Sequence, residues 1–354
     1  MPKVQNVINL LRSGRLQREY VDKQLIDMKE HDGFVLLDYS RDCQYESAWD
    51  EVTTACRGLI IDSRDWSVAA RPFMKFFNLG EGGGVQPKDL PREPFRVFEK
   101  LDGSMGTLYR KRDGKLAITT RGSFDSEQGA KGTEMLHKLK NLDSIDDNLT
   151  LIFEIIYTDP RSPHLVKYAG EGLVLLAAFN RHTGEEMDWW TLTNVARRLG
   201  VAMPRTYEFK SIEEIQEKTK VLPHDFEGYV VRFQNGLRVK MKGRAYLRVM
   251  KLMSHLTPRA VLEHLQAGTY FSTLKMLPEE LRPDVESLAG PMIKSAGELE
   301  AECHKHLANA PTGDQKEFAL WVKEKFQNPI AGALFKLKKG QQPDWYEIAN
   351  QKEK

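Results

Sequence analysis

The period of the apolar residues changes once along this chain, and that change limits the folds open to it. Across residues 33–242 the apolar residues come in short runs, many of them alternating: FVLLDYS, CRGLIID, SVAARPFMKFF, VFEKLDG, MGTLYRK, LAITTRG, LTLIFEIIY, LVLLAAFN, GYVVRF and LRVKMK. Gly, Pro, Asn or Asp bound them, as they bound strands elsewhere. A period of two belongs to a strand with one face covered. Asp113-Gly114 and Asn235-Gly236 each lie between two such runs and predict hairpins. Helical stretches intervene: SFDSEQGAKGTEMLHKLKNL, TLTNVARRLG and SIEEIQEKTK, where Ser211 is placed to cap and Glu214 stands at the third helical position. Beyond residue 243 the apolar spacing becomes three and four, as in AYLRVMKLMSHL and TPRAVLEHLQAG, and strand signals nearly vanish. The expectation is an α+β unit with antiparallel sheets over residues 1–243, then an all-α unit over residues 244–354. GEGGGVQPKDLPREP, residues 80–94, is the clearest flexible connection.

Composition narrows the function classes. Lys plus Arg (52) nearly balances Asp plus Glu (50), so no global positive field marks the chain for nucleic acid and any basic patch must be local. The three cysteines, Cys43, Cys56 and Cys303, are widely spaced, which suits a reducing cytoplasm. Cys303-His304 with His306 lacks a C-x-x-C partner, which argues against zinc. The amphipathic start has no signal-peptide core, and no run approaches the roughly 18 apolar residues that cross a membrane. A soluble cytoplasmic protein is expected.

Lys100 is the residue that asks for a chemical explanation. It interrupts the apolar run VFEKLDG just before Asp102-Gly103. Alone, K-x-D-G is a short pattern that chance supplies, and a lysine leading into a turn explains it. Its companions change that reading. Glu154 stands inside LIFEIIY and Glu227 directly before GYVVRF, and an ionised carboxylate in such a place costs several kcal/mol unless paired or metal-bound. Alternation puts Arg238, Lys240 and Lys242 on one face of a strand, which in isolation reads as a solvated face. Arg57 and Lys75 stand at strand edges. Together these residues have a chemical logic. A nucleophilic lysine must be neutral, which at a reference pKa of about 10.4 takes roughly 4–5 kcal/mol of environmental help. Neighbouring cations supply some of it and also bind a polyphosphate. Carboxylates nearby can hold the magnesium that the phosphate brings. The set describes phosphoryl transfer through a lysine adduct.

The order of these motifs resembles that of the covalent nucleotidyltransferases, the polynucleotide ligases and capping enzymes: KLDG at Lys100, then LIFEIIY, LVLLAAFNRHTGE, EGYVVR and VKMK. ACRGLIID, RPFMKFFNLGE, EKLDGS, TRGSFDSEQ, the HTGE segment and VKMKGRAY make the chain most similar to the bacteriophage-type RNA ligase 1 family, over roughly residues 33–246. The resemblance implies the ATP-dependent ligase adenylation fold in the first unit and a three-step reaction. Lys100 takes AMP from ATP, the AMP passes to an RNA 5′-phosphate, and a 3′-hydroxyl displaces it. It further implies that Tyr39, Arg57 and Lys75 contact the triphosphate, and that Glu99 through its backbone, Leu176 and Val230 frame the adenine. Glu154 and Glu227 are implied to bind metal or ribose, and with Asp102 they are the implied metal acids beside Mg2+ or Mn2+. Lys240 and Lys242 are implied to serve the α-phosphate and the leaving pyrophosphate, and Tyr246 to serve ligation. Arg121 stands where relatives carry lysine, which keeps the charge but changes the geometry. The implied partners are RNA ends bearing 5′-phosphate and 3′-hydroxyl, cleaved transfer RNA among them, met by a monomer in the cytoplasm (a host's, if phage-encoded). The helical tail lacks clear acids where a relative places a metal ligand.

Two rivals remain at this level. A DNA ligase or capping guanylyltransferase shares the motifs but usually continues into a β-rich OB domain. A ligase-like RNA-binding protein that no longer catalyses is disfavoured by the intact set Lys100, Glu154, Glu227, Lys240 and Lys242. Phe76, Phe77, Trp189 and Trp190 read as core aromatics or as base-stacking platforms.

Overall fold

Period two becomes sheet. The computed structural model describes residues 2–157, 165–254, 257–275, 277 and 282–352, and it divides into two units, residues 1–247 and 248–354. In the first unit the strands are β1 (Ile26–His31), β2 (Phe34–Tyr39), β3 (Arg57–Asp62), β4 (Val68–Ala70), β5 (Phe95–Glu99), β6 (Ser104–Arg110), β7 (Leu116–Thr120), β8 (Leu149–Ile156), β9 (Gly172–Asn180), β10 (Thr206–Tyr207), β11 (Gly228–Phe233) and β12 (Arg238–Lys242). Among the described residues they form three four-stranded sheets, in the orders β1-β2-β3-β4, β10-β5-β11-β12 and β7-β6-β8-β9. Every pairing is antiparallel. Both expected hairpins are present, with three-residue loops in which Gly114 between β6 and β7 and Gly236 between β11 and β12 take φ of +84° and +89°, the left-handed position that follows the turn in such a loop.

Helices close the outer faces. The helices α1 (Pro2–Arg12), α2 (Arg41–Glu46) and α3 (Glu51–Ala55) accompany the first sheet, with Val4, Val7 and Val52 buried against Leu37 and Ile61. α4 (Glu127–Leu136) and α5 (Trp189–Leu199) cover the third sheet, where Leu136 and Leu199 pack on Phe153 and Leu175. α6 (Ile212–Val221) lays Ile215 on Val97 and Val231 of the second. Ser211 caps α6 as expected, its hydroxyl accepting from the Glu214 N–H at 3.3 Å. The first and third sheets share a core of Phe34, Leu36 and Ile60 against Tyr109 and Phe124.

One expected strand is mostly absent. SVAARPFMKFF is a strand only at Val68–Ala70, and residues 71–77 run as irregular chain. Pro72 has no N–H for a ladder. The segment instead lies along the edge of β12: Phe77 accepts from the Lys240 N–H at 2.9 Å and Leu79 donates to the Lys240 carbonyl at 2.9 Å. That placement delivers two phenylalanines to the cation-bearing strand.

The second unit is helical among its described residues: α7 (Arg244–Ser254), which begins in the first unit, α8 (Pro258–Gln266), α9 (Tyr270–Lys275), α10 (Arg282–Ala308), α11 (Gln315–Lys325), α12 (Ile330–Lys338) and α13 (Trp345–Lys352). Its core gathers Leu299 and Cys303 of α10, Phe318 and Val322 of α11, Leu334 and Ile348. Cys303 is a buried free thiol in that core. No described helix is long and apolar enough to cross a membrane.

Candidate active site

The register of the second sheet aligns the charges. Phe98 of β5, Val230 of β11 and Lys240 of β12 stand in one cross-strand row, and Arg96, Arg232 and Arg238 in another. Lys100 lies just beyond β5, where its N–H donates to the Gly228 carbonyl at 2.8 Å. Opposite stands the third sheet, with Met105 of β6 paired to Glu154 of β8 and Leu176 on β9. Between the two sheets is a cavity of about 250 Å³. Val230, Leu176, Phe98 and Trp189 line it with apolar surface, and Lys100, Glu154, Arg57 and Lys240 line it with charge. Glu99 also borders it; its N–H is taken by the Arg205 carbonyl at 2.8 Å.

Glu227 organises the amines. Its side chain is only 4% exposed, and each oxygen carries a lysine: Oε2 accepts from Lys100 Nζ at 2.6 Å, and Oε1 lies 2.8 Å from Lys242 Nζ. The pairing answers the desolvation that would otherwise make this carboxylate costly. The amine that burial pushes down is Lys240, to about 7, with Arg57, Lys100, Lys75 and Lys242 adding like-charge repulsion. It lies 4.7 Å from the centre of the Phe76 ring. Glu154 is pushed up to about 7 by burial, against the pull of Lys100, and its Oε1 accepts from the Gly103 N–H at 3.1 Å.

Asp102 is engaged by the protein itself. Its Oδ2 accepts from the backbone N–H of Leu165 (3.0 Å) and of Val166 (3.2 Å), and its Oδ1 from the Tyr246 hydroxyl at 3.2 Å. It braces the turn after Lys100 instead of facing the cavity, so the three acids do not converge. Among the described residues no group of three or more His, Cys, Asp or Glu is arranged to hold a metal ion. The donor set fits a divalent ion only as phosphate-borne magnesium commonly binds, through a carboxylate or two plus phosphate oxygens. Glu154 is the acid that fits, since Glu227 already holds a lysine on each oxygen.

Tyr39, Lys75 and Arg121 gather beside the cavity without lining it. Lys75 Nζ sits 4.6 Å from the Trp49 ring centre and 5.1 Å from those of Tyr39 and Phe77. Arg121 stacks over Tyr39 at 4.3 Å. Arg57 joins this cluster to the cavity, with Nη1 3.2 Å from Met105 Sδ. Tyr246 lies under Lys242, whose Nζ is 5.3 Å from the ring centre.

Several participants carried no sequence signal strong enough to single them out. Glu186 accepts from both Arg232 (3.0 Å) and Arg238, tying β11 and β12 to the chain after β9. Tyr168 accepts the Asp102 N–H at 2.7 Å. Trp189 packs against Phe98 at 5.0 Å and belongs to the cavity wall, whereas Trp190 is exposed.

Known proteins are similar to this chain in sequence and fold. Residues 55–252 match the model of an RNA ligase family, that of the phage-type RNA ligase 1. A protein of Autographa californica nuclear polyhedrosis virus, provisionally named a bifunctional polynucleotide kinase/RNA ligase, is 28% identical over 302 residues, covering 77% of this chain and 42% of that one. A Thermovibrio ammonificans protein, provisionally named an RNA ligase, is 30% identical over 217 residues, covering 56% of this chain and 54% of that one. The chain thus spans about half the length of these curated relatives. The structure of an archaeal ATP-dependent RNA ligase aligns at a TM-score of 0.53 and 14% identity, covering 95% of this chain and 99% of that one. At that identity the likeness is one of fold, and the fold is that of the ATP-dependent ligases.

Proposed function

Because the chain belongs to the phage-type RNA ligase 1 family, we propose that it is an ATP-dependent RNA ligase that joins 5′-phosphate and 3′-hydroxyl ends through an AMP adduct on Lys100. The observation that carries this reading is the pair of lysines on Glu227, one at the mouth of an apolar-walled cavity and the other on the cation face of β12. Leu176 and Val230 offer a slot for a flat base, bordered by Glu99. Arg57 and Lys240 line the cavity where a phosphate chain would lie, with Lys242 on the same face of β12 and Tyr39, Lys75 and Arg121 beside it.

In the first step Lys100 Nζ attacks the α-phosphorus of ATP; a P–N bond forms and the bond to the pyrophosphate oxygen breaks. The amine must shed its proton, and Glu227 Oε2, at 2.6 Å, is the acceptor in place. The entering phosphates compete with Glu227 for both lysines. Lys240 follows the α-phosphate and Lys242 the pyrophosphate. A divalent ion, magnesium or manganese, would be held by Glu154 with the nucleotide's oxygens and would offset phosphate charge there. In the later steps AMP passes to the RNA 5′-phosphate, and the 3′-hydroxyl then displaces it. Tyr246, bonded to Asp102, keeps the turn after Lys100 in register with β12 during these steps. The natural source of such ends is taken to be cleaved transfer RNA in the cytoplasm, repaired by a monomer.

The helical second unit favours RNA ligase over a DNA ligase or capping enzyme, which would continue into a β-rich domain. Incubation with α-labelled ATP and, separately, GTP, followed by a denaturing gel, tests the proposal. ATP alone should label the wild-type chain, and Lys100→Ala should take no label while melting as the wild type does. A labelled Lys100→Ala chain would sink the assignment.

A further inference from the structure

Asp38 has no part in the chemistry above, yet it is buried beside it. It stands on β2 one residue before Tyr39, is 4% exposed, and pairs in register with Arg57 of β3. Its Oδ2 lies 3.0 Å from Arg121 Nε, while its Oδ1 has no hydrogen-bond partner among the described residues. Burial pushes its pKa up to about 7 despite Arg121 and Arg57. A buried carboxylate with an unmet oxygen lowers stability, and the group that gains most directly from its charge is Arg121.

The geometry of that contact is set by glycine. Arg121 follows β7, and its backbone lies against Gly58 of β3, where a Cβ would come 3.1 Å from the Arg121 Cα and 3.2 Å from its carbonyl oxygen. Gly58 also takes φ of +78°, so the approach belongs to a residue without a side chain. The guanidinium then has two close neighbours, the carboxylate 3.0 Å from its Nε and the Tyr39 ring against its face at 4.3 Å. Arg121 also lines, together with Arg57, a cleft of about 370 Å³.

We propose that Asp38 is a positioning residue that grips Arg121 by one edge, so that the terminal nitrogens of the guanidinium stay turned toward the phosphate chain of the nucleotide. The proposal rests on the reading of Arg121 as a phosphate contact. A lysine at this position needs no such holder, because an ammonium is a point charge that meets an anion from any direction. An arginine makes its two parallel bonds only when its plane is set. Arginine at 121 and aspartate at 38 therefore work as one device.

The test uses the full chain and single-turnover lysyl-AMP formation at varied ATP. Asp38→Asn keeps the shape and loses the charge. Its half-saturating ATP concentration should rise about tenfold, its limiting rate should stay within about threefold, and its melting temperature should hold or rise. The same substitution in an Arg121→Gln background should add nothing, and in an Arg121→Lys background much less than in the wild type. An unchanged ATP dependence in Asp38→Asn overturns the proposal, as does a loss that persists undiminished with Arg121→Gln. A melting temperature lowered by many degrees, or a failure to fold, makes Asp38 a structural residue and also overturns it. If the wild type forms no lysyl-AMP, the ligase reading itself has failed; a labelled wild type with an unaffected Asp38→Asn defeats this proposal alone.

Discussion

Glu227 holds a lysine on each oxygen, whereas the bond found for Glu154 is the single N–H of Gly103. Glu154 should therefore answer to pH through its burial. Burial raises the Glu154 pKa from 4.5 to about 7 in the folded chain. A folded-state pKa above the unfolded one means that the native protein binds this proton more tightly. The resulting stability is fully present below about pH 4.5 and is lost as the pH climbs through about 7. Glu154→Gln keeps the neutral shape at every pH. In metal-free buffer it should melt above the wild type at pH 8, by an amount on the order of 1–3 kcal/mol, and the two should converge as the pH falls toward 5. Lysyl-AMP formation should drop at least tenfold at pH 8, where the wild-type side chain is ionised. Parallel melting curves for mutant and wild type across this range would show that burial does not govern Glu154.

At the scale of single elements, β12 carries the sharpest division of labour. Alternation turns Arg238, Lys240 and Lys242 to one face, yet their company differs: Lys240 lies by Phe76 in the cavity, while Lys242 bonds Glu227 and stacks on Tyr246. Lys242→Ala should block loading from ATP far more than sealing of chemically pre-adenylated RNA, which releases no pyrophosphate. Lys240→Ala should impair both. Each lost charge-assisted contact is worth about 1.5–3 kcal/mol, or roughly ten- to a hundredfold in rate. Single-turnover rates on the two substrates decide the matter, and equal losses for Lys242→Ala would erase the distinction. That common face was legible in LRVKMK because period two is a property of the backbone, and the hairpins were legible because Asp-Gly and Asn-Gly state their turn. What stayed hidden depends on partners far along the chain. The hydrogen bonds that Asp102 accepts come from backbone N–H groups 63 and 64 residues later, which nothing local to VFEKLDG announces. The irregular run over residues 71–77 followed from the edge of β12 and from Pro72, which outweighed its apolar content. The Asp38–Arg121 pair needs Gly58 to bring two strands close, and no local pattern announces that.

For the whole molecule, the question is which unit does what. The residues proposed for adenylation end at Lys242, with Tyr246 proposed for the later steps, and the cores beneath the three sheets draw on residues no later than Met241. That unit has the size at which single domains fold alone. The helices that follow have a separate core around Cys303 and Phe318 and add no acid cluster that could hold a metal among the described residues. A chain shortened to residue 254, which keeps α7 whole, should still melt cooperatively and take AMP from ATP within about threefold of the full-length rate. Its choice among RNA ends should broaden, because contacts away from the reacting phosphate select a substrate without being needed to activate ATP. Competition between cleaved transfer RNA stem-loops and unstructured oligonucleotides, read with both chains, measures that choice. Equal preferences in a shortened chain that folds would assign RNA selection to the first unit. A folded shortened chain that takes no AMP would mean that the helices complete the adenylation site itself.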